Sequence, residues 1–130
     1  MIEIETEKPV NVVDITDHVE RTLHEIGVEN GICLVYSLHT TTGLTVNEAD
    51  GALINDILNL LQRIAPKGAG YQHDWGDGNA HAHLQATLLG NSVIIPVEGR
   101  RLALGAWQRI LFFELDGPRR RSIFVRVLAD

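Results

Sequence analysis

The 130 residues contain only one cysteine, no long apolar run and no stretch typical of a secretory leader, and each of these features disfavours a class of protein. Cys33 is the single cysteine, so an intrachain disulfide is impossible, and its place in the apolar run 32–36 predicts a buried thiol. No apolar run approaches the ~20 residues that a membrane-spanning helix needs. Because residues 1–5 are acidic and alternating, unlike a secretory signal, we expect a cytoplasmic protein.

Basic residues are in deficit as well, and the formal net charge is −6. A surplus of acid disfavours nonspecific binding to nucleic acid or to a membrane surface, so we expect neither partner. Seven of the eleven Lys and Arg residues nevertheless follow Gly99, and all seven are arginines. The planar guanidinium suits phosphate and carboxylate. Two interpretations stay open, a solvated strand face and a local anion site within an acidic protein.

The hydrophobic pattern predicts a single α+β domain over residues 1–130. Period-two segments predict strands at 2–6, 31–38, 92–97, 102–115 (broken around Gly105) and 122–128. Helical periodicity predicts one helix from Ile15 to Ile26, one after Asn47 and one at 79–89. We expect a largely antiparallel sheet covered by two or three helices. The glycine-rich stretch 66–78 is long for a loop, which favours a functional role.

The first polar stretch begins where a predicted buried strand ends. His39 opens the turn 39–43, in which Thr40, Thr41 and Thr42 offer hydroxyl and backbone N–H groups that can cradle an anion. The alternative is an ordinary threonine-rich turn. Strand ends that face a loop are common positions for reactive side chains, so we predict a site here.

Two more polar residues, Asn47 and Glu48, precede the second helix. In one interpretation Asn47 is the helix cap and Glu48 complements the positive end of the helix. In the other, the carboxylate of Glu48 points into the cleft that holds His39, because Glu48 follows His39 by only nine positions. On that basis we predict Glu48 as a general base or a metal-linked acid.

The stretch 73–83 is the densest in polar chemistry, with three histidines, two aspartates and an asparagine in eleven residues. In a strand, His81 and His83 would share a face and form a metal pair. In a helix, positions two apart diverge by ~200°, and Asn79 aligns with His83 at i, i+4. The alanines and the glutamine that follow favour the helix, so we predict Asn79 and His83 as site residues and set His81 aside.

Four blocks of the sequence together resemble one family. They are HTTTG with Asn47-Glu48, His73 with DGNAHAHL (77–84), SVIIPV (92–97) with LGAWQRI (104–110), and DGPR (116–119). In this order the blocks resemble the YjbQ family, known as the secondary thiamine-phosphate synthase family. The resemblance covers nearly the whole chain from about residue 14.

The resemblance implies a curved antiparallel sheet or sandwich, a homotrimer, and a polar cleft at or near the contacts between subunits. The positions that match the family's polar residues are His39, Asn47, Glu48, His73, Asn79, His83, Trp107, Gln108 and Arg119. Ala106 departs from the threonine usual in the family and removes one hydroxyl. In a regular strand Trp107 and Gln108 point to opposite faces, so at most one of them faces the cleft, and Trp107 also suits core or interface packing.

The chemistry that the resemblance implies is the joining of a pyrimidine pyrophosphate to a thiazole phosphate with loss of pyrophosphate, as a secondary activity. We expect His39, Glu48, Asn79 and His83 to serve catalysis. Thr40, Thr41, Thr42, Asn47, Gln108 and Arg119 are expected to bind the small phosphorylated substrate. If a divalent metal takes part, either Zn or Mg, we expect His39, His73 and His83 to hold it. Histidine ligands favour Zn, and the sequence lacks the aspartate cluster that suits Mg–pyrophosphate. The alternatives are a metal- or phosphate-binding trimer without turnover, and a metal-assisted phosphoester hydrolase or isomerase.

Overall fold

A computed structural model describes all residues from 1 to 130 and confirms the α+β class. The eight strands are β1 (Ile2–Glu5), β2 (Asn11–Asp14), β3 (Gly31–Ser37), β4 (Thr42–Asn47), β5 (Ser92–Glu98), β6 (Arg101–Leu102), β7 (Arg109–Glu114) and β8 (Arg120–Ala129). The helices are α1 (Thr16–Ile26), α2 (Gly51–Ile64) and α3 (Ala80–Leu89), with a short 3₁₀ helix at Gln72–Trp75. None of these helices is long and apolar enough to cross a membrane.

The strands form two sheets in which every pairing is antiparallel. The larger sheet has the order β1-β8-β3-β5-β6 and curls into a half-barrel, and the smaller has the order β2-β7-β4. The expectation of a curved, largely antiparallel arrangement is therefore confirmed. The sequence did not predict strands β2 and β4, because their short segments mix polar and apolar residues without regular alternation.

The core lies on both faces of β7. Ile110 and Phe112 join the cluster between the two sheets and α1, whereas Leu111 and Phe113 pack against Ala82 and Ala86 of α3. A strand buried on both faces is expected to be apolar throughout rather than alternating. Of the predicted strand 102–115, residues 110–115 are therefore core, whereas residues 105–108, just before β7, are exposed.

Helix α2 begins later than one interpretation of the sequence held. Asp50 is the cap, and its side chain accepts a hydrogen bond from the backbone N–H of Leu53 at 2.9 Å. Asn47 is instead the last residue of β4, so its interpretation as the cap was wrong. A strand ending at Asn47 needs a few residues to turn before a helix can start, which moves the cap to Asp50.

Helix α3 is held close to β4 by a glycine. A Cβ atom on Gly43 would lie 2.6 Å from the Cβ of Leu89, closer than real side chains approach. The missing side chain lets the end of α3 rest directly on the strand. This contact orients the helix that carries His83 against the strand that follows the threonine turn.

Candidate functional site

A cleft of about 470 Å³ opens where β3 ends, α3 begins and the chain enters β8. Its walls come from residues 38–41, from the loop and first turn around α3, and from the turn before β8. A second depression of about 480 Å³ shares His39, Thr40 and His83 with it. We call the two together the His39–His83 cleft. The structure therefore brings together the two histidines that the sequence singled out.

Arg121 lines the floor of the cleft and forms, with Glu114 behind it, a buried ion pair that the sequence did not lead us to expect. Arg121 is 4% exposed and Glu114 is 0% exposed at the side chain. The Nε of Arg121 donates to Oε1 of Glu114 at 2.7 Å, and Nη2 donates both to Oε2 and, at 2.9 Å, to the hydroxyl of Thr41. Nη1 makes no hydrogen bond within the chain, although Arg121 lines the cleft. The guanidinium is thus oriented by Glu114 and has one nitrogen free.

Glu114 stays ionised because donors surround it. Burial by itself would raise the pKa of Glu114, but hydrogen bonds from Arg121, from the hydroxyl of Thr6 and from the backbone N–H of Asp116 hold the pKa below its ordinary value of 4.5. The charge of Glu114 is therefore matched by Arg121 and does not repel an anion in the cleft.

Asn79 links α3 to the turn before β8. It occupies the cap position of α3 but does not cap it; the carboxylate of Asp74 accepts the N–H of Ala80 instead, at 3.0 Å. The Asn79 amide donates to Oδ2 of Asp116 at 2.9 Å, and Arg119 donates to the same oxygen at 3.1 Å. Burial would raise the pKa of Asp116, but these bonds lower it. The predicted i, i+4 pair, Asn79 and His83, does reach one cleft.

The third predicted metal ligand, His73, also reaches the cleft. The rings of His73 and His83 meet edge to face, with centroids 4.7 Å apart. No group of three His, Cys, Asp or Glu side chains is close enough together to hold a metal ion. His39 in addition accepts a hydrogen bond at Nε2 from the backbone N–H of Ser122, at 2.8 Å. The three histidines share a cleft but do not form a coordination set in this conformation.

The three threonines of the turn 39–43 make different contacts. Thr41 is buried, and its hydroxyl accepts from Arg121. Thr42 is the first residue of β4, and its buried hydroxyl is hydrogen-bonded to that of Ser37. Thr40 is exposed at the mouth of the cleft. Of the three hydroxyls predicted to bind an anion, only that of Thr40 makes no hydrogen bond within the chain.

Four predicted residues lie away from this cleft. Glu48 and Trp107 line a separate hollow at the other end of the β4–β7 pair, in which Asn47 is opposite Arg109 and Thr42 is opposite Glu114. Five residues of strand span about 17 Å, which separates the two ends. Gln108 borders another hollow and accepts the N–H of Gly105 at 2.8 Å. Neither Trp107 nor Gln108 lies in a regular strand, and Trp107 is 74% exposed rather than core.

The sequence did carry a signal for the missed arginine. In β8, Arg121 is in phase with Ile123 and Val125, whose side chains are buried. Strand residues two apart face the same side, so an arginine in this register must be buried with a partner. Arg119 was singled out instead, and it is exposed at the rim. His81, which we set aside, lines none of the described clefts.

Comparison with known proteins agrees with this structure. The sequence profile described as "UPF0047 protein YjbQ-like" matches residues 1–130. A UPF0047 protein of Archaeoglobus fulgidus is 53% identical over 125 residues, which is 96% of this chain and 97% of that one.

Solved structures give the same result. A hypothetical protein from Aeropyrum pernix K1 superposes with a TM-score of 0.95 at 43% identity, covering 99% of this chain and 96% of that one. A YbjQ-like protein of unknown function from Sulfolobus solfataricus P2 superposes with a TM-score of 0.96 at 40% identity, covering 99% and 94%. With its fold, its sequence blocks and its whole length matched, the chain belongs to the YjbQ-like UPF0047 family.

Proposed function

We propose that the chain is an enzyme that binds a small phosphorylated molecule in the His39–His83 cleft. The reaction we assign to it, as a secondary activity, is the one that the resemblance implies. A thiazole phosphate displaces pyrophosphate from a pyrimidine pyrophosphate, and thiamine phosphate is formed. The buried arginine on the cleft floor is the observation that supports the proposal most strongly.

Arg121 supports phosphate binding because it is held in place before any ligand arrives. Its bidentate pairing with Glu114 removes the entropy cost of ordering a long side chain. The free Nη1 and the nearby Arg119 at the rim then supply N–H donors to an anion. A leaving pyrophosphate needs this kind of charge stabilisation in the transition state.

His83 is the residue we propose for proton transfer. It is half-buried, it borders both hollows of the cleft, and the contact of its ring within the chain is the edge-to-face one with His73. An imidazole changes charge near neutral pH, which suits a general acid or base. The donor set does not fit a resident metal ion, so no step of this proposal passes through one.

We propose further that the chain acts as a homotrimer. The outer face of the larger sheet carries apolar residues, as the inner face does. Ile94 on this face is 63% exposed. Nearby on the same face, Ile32 of β3 pairs with Pro96 of β5 on one side and with Leu128 of β8 on the other. An antiparallel sheet with one free face normally shows polar residues there. A contiguous apolar face is typical of a subunit contact.

Trimer assembly can also bring Glu48 and Trp107, which lie away from the His39–His83 cleft within one chain, close to that cleft. Within one chain Glu48 and Trp107 cannot reach His83, because the length of β4 separates them. In the trimer we assign these residues to the cleft of a neighbouring copy, where Glu48 supplies a carboxylate beside the imidazoles.

The activity test compares the wild-type protein with two histidine variants. Purified protein is incubated with both substrates, with and without a chelator, and thiamine phosphate is measured by chromatography. His83→Ala should lower turnover by about 10²–10⁴-fold, the usual contribution of a general acid or base. His24→Ala, an exposed change on α1, should leave it unaltered. Equal turnover of the wild-type protein and the His83→Ala variant would refute the proposed enzymatic role of the cleft.

The alternatives give different results in the same preparations. Phosphate binding by titration calorimetry without any turnover would favour a binding protein. Release of phosphate from a simple phosphoester, abolished by the chelator, would favour the metal-assisted hydrolase.

Light scattering after gel filtration tests the assembly. The wild-type protein should have the mass of three chains, and Ile94→Lys should yield single chains. Ile64→Lys is the matched control, because Ile64 is 58% exposed but lies on α2. A trimer that survives Ile94→Lys would show that another surface makes the contact. Coexpressed His83→Ala and Glu48→Gln chains should regain activity only if the cleft is shared between copies.

A further inference from the structure

The imidazole of His39 takes the place of a backbone carbonyl at the end of β3. The N–H of Leu38 donates to the carbonyl oxygen of Ser122 at 3.3 Å, as in an antiparallel ladder. The return bond, in which Ser122 would donate to the carbonyl of Leu38, is absent. The N–H of Ser122 donates instead to Nε2 of His39 at 2.8 Å. The side chain extends the sheet by one hydrogen bond.

This bond determines where the proton of His39 lies. A backbone amide is only a donor, so Nε2 must present its lone pair, and a neutral ring then carries its proton on Nδ1. Turning the ring over would place a C–H group against the N–H of Ser122 and leave that N–H without an acceptor. Nδ1 makes no hydrogen bond within the chain and is not buried, and His39 borders both hollows of the cleft.

We propose that His39 is a fixed, neutral hydrogen-bond donor that presents Nδ1–H to an oxygen of the bound anion. It is neither the base nor a metal ligand. A metal ion on Nδ1 would require the imidazolate, because the N–H of Ser122 already occupies Nε2; metal-bound histidines normally donate from their second nitrogen. The identity of the anion as a phosphate rests on the proposed function, whereas the tautomer does not.

The charged groups around His39 agree with a neutral ring. Burial, reinforced by the positive charges of Arg121 and Arg119, lowers the pKa of His39 below its ordinary value of 6.5. Glu114 and Glu3 act in the opposite direction, but Glu114 is already paired with Arg121. The groups across the cleft are His73, His83, Asp77 and Asp116. A neutral donor lets the cleft bind an anion without taking up a proton at His39, and His83 remains the imidazole that exchanges protons.

Nitrogen NMR of the full chain with ¹⁵N-labelled histidine tests the inference. Long-range ¹H–¹⁵N correlations distinguish the two tautomers and the imidazolium directly. His39→Gln assigns the signals by removing one set, and it keeps the fold because its amide oxygen can accept from Ser122. His24→Gln is the control that removes a different set. At pH 7 we expect His39 to show a protonated Nδ1 and an unprotonated Nε2. The Nδ1 signal should shift when inorganic phosphate is added.

Three results would overturn the inference. A proton on Nε2 at pH 7 contradicts the tautomer, and so does an imidazolium signal. Phosphate-induced shifts at His83 that leave Nδ1 of His39 unmoved contradict its role as a donor. If phosphate moves no signal at all, the proposed function fails and the anion-binding role fails with it, even where the predicted tautomer is found. The two failures are therefore distinguishable.

Discussion

Replacement of Glu114 by alanine should destabilise the protein severely, because it leaves the guanidinium of Arg121 buried without a counter-charge. The carboxylate accepts four hydrogen bonds, two from Arg121, one from the hydroxyl of Thr6 and one from the backbone N–H of Asp116. The Thr6 hydroxyl has a second acceptor in the carbonyl oxygen of Arg119 at 3.1 Å, but the guanidinium of Arg121 is buried and has no other carboxylate to pair with. The change therefore also creates unsatisfied donors.

The magnitude follows from this burial. Removing one partner of a buried ion pair costs about 3–5 kcal/mol. Domains of ordinary stability unfold with only about 5–15 kcal/mol, so the loss is a large share of the total. For a chain of this length it corresponds to a fall in the melting temperature on the order of 10–20 °C.

A double replacement separates the structural role of the pair from its role in binding. In Glu114→Leu/Arg121→Met both charges disappear together, and such replacements are often neutral or stabilising. We expect urea unfolding followed by circular dichroism to show most of the wild-type free energy restored. Phosphate binding should nevertheless be lost. A cost under about 1 kcal/mol for Glu114→Ala would refute the reasoning, and so would a double variant as unstable as the sum of the singles.

Three further predictions follow from the same structure. Stability should fall as the pH drops below about 6.5, because burial lowers the pKa of both His39 and His81, so the unfolded chain binds more protons than the folded one. Urea midpoints from pH 8 to pH 5 measure this fall, and a constant midpoint would contradict it. Gly43→Ala should cost about 1–3 kcal/mol in thermal melts by pushing α3 away from β4, whereas Gly51→Ala, where a Cβ meets nothing, should not destabilise. Burial raises the pKa of Cys33 to about 11, so the native thiol should resist a disulfide reagent at pH 8 and react fully in denaturant; rapid native reaction would contradict its burial.

The long periodic elements could be predicted from local sequence. Val19 and Leu23 recur on one face of α1, and Gly27 ends that helix in a left-handed conformation, as the pattern indicates. β2 and β4 could not be predicted, because both are defined by their pairing with β7, which for β2 lies about a hundred positions further along the chain. Short strands gain their stability from such partners rather than from their own residues.

In the candidate site, too, local sequence predicted some features and tertiary contacts determined the others. The sequence alone determined which stretches are rich in chemistry, and it indicated that Asn79 and His83 share a helical face, because spacing along a helix fixes direction. Only the tertiary structure decided which stretches meet: it brought the turn at His39 to α3, placed Arg121 and Glu114 beneath them, and left Glu48 at the far end of β4. Distance along the chain carries no information about a contact made by sheet pairing, and a buried charge reveals its partner only when both are folded against each other.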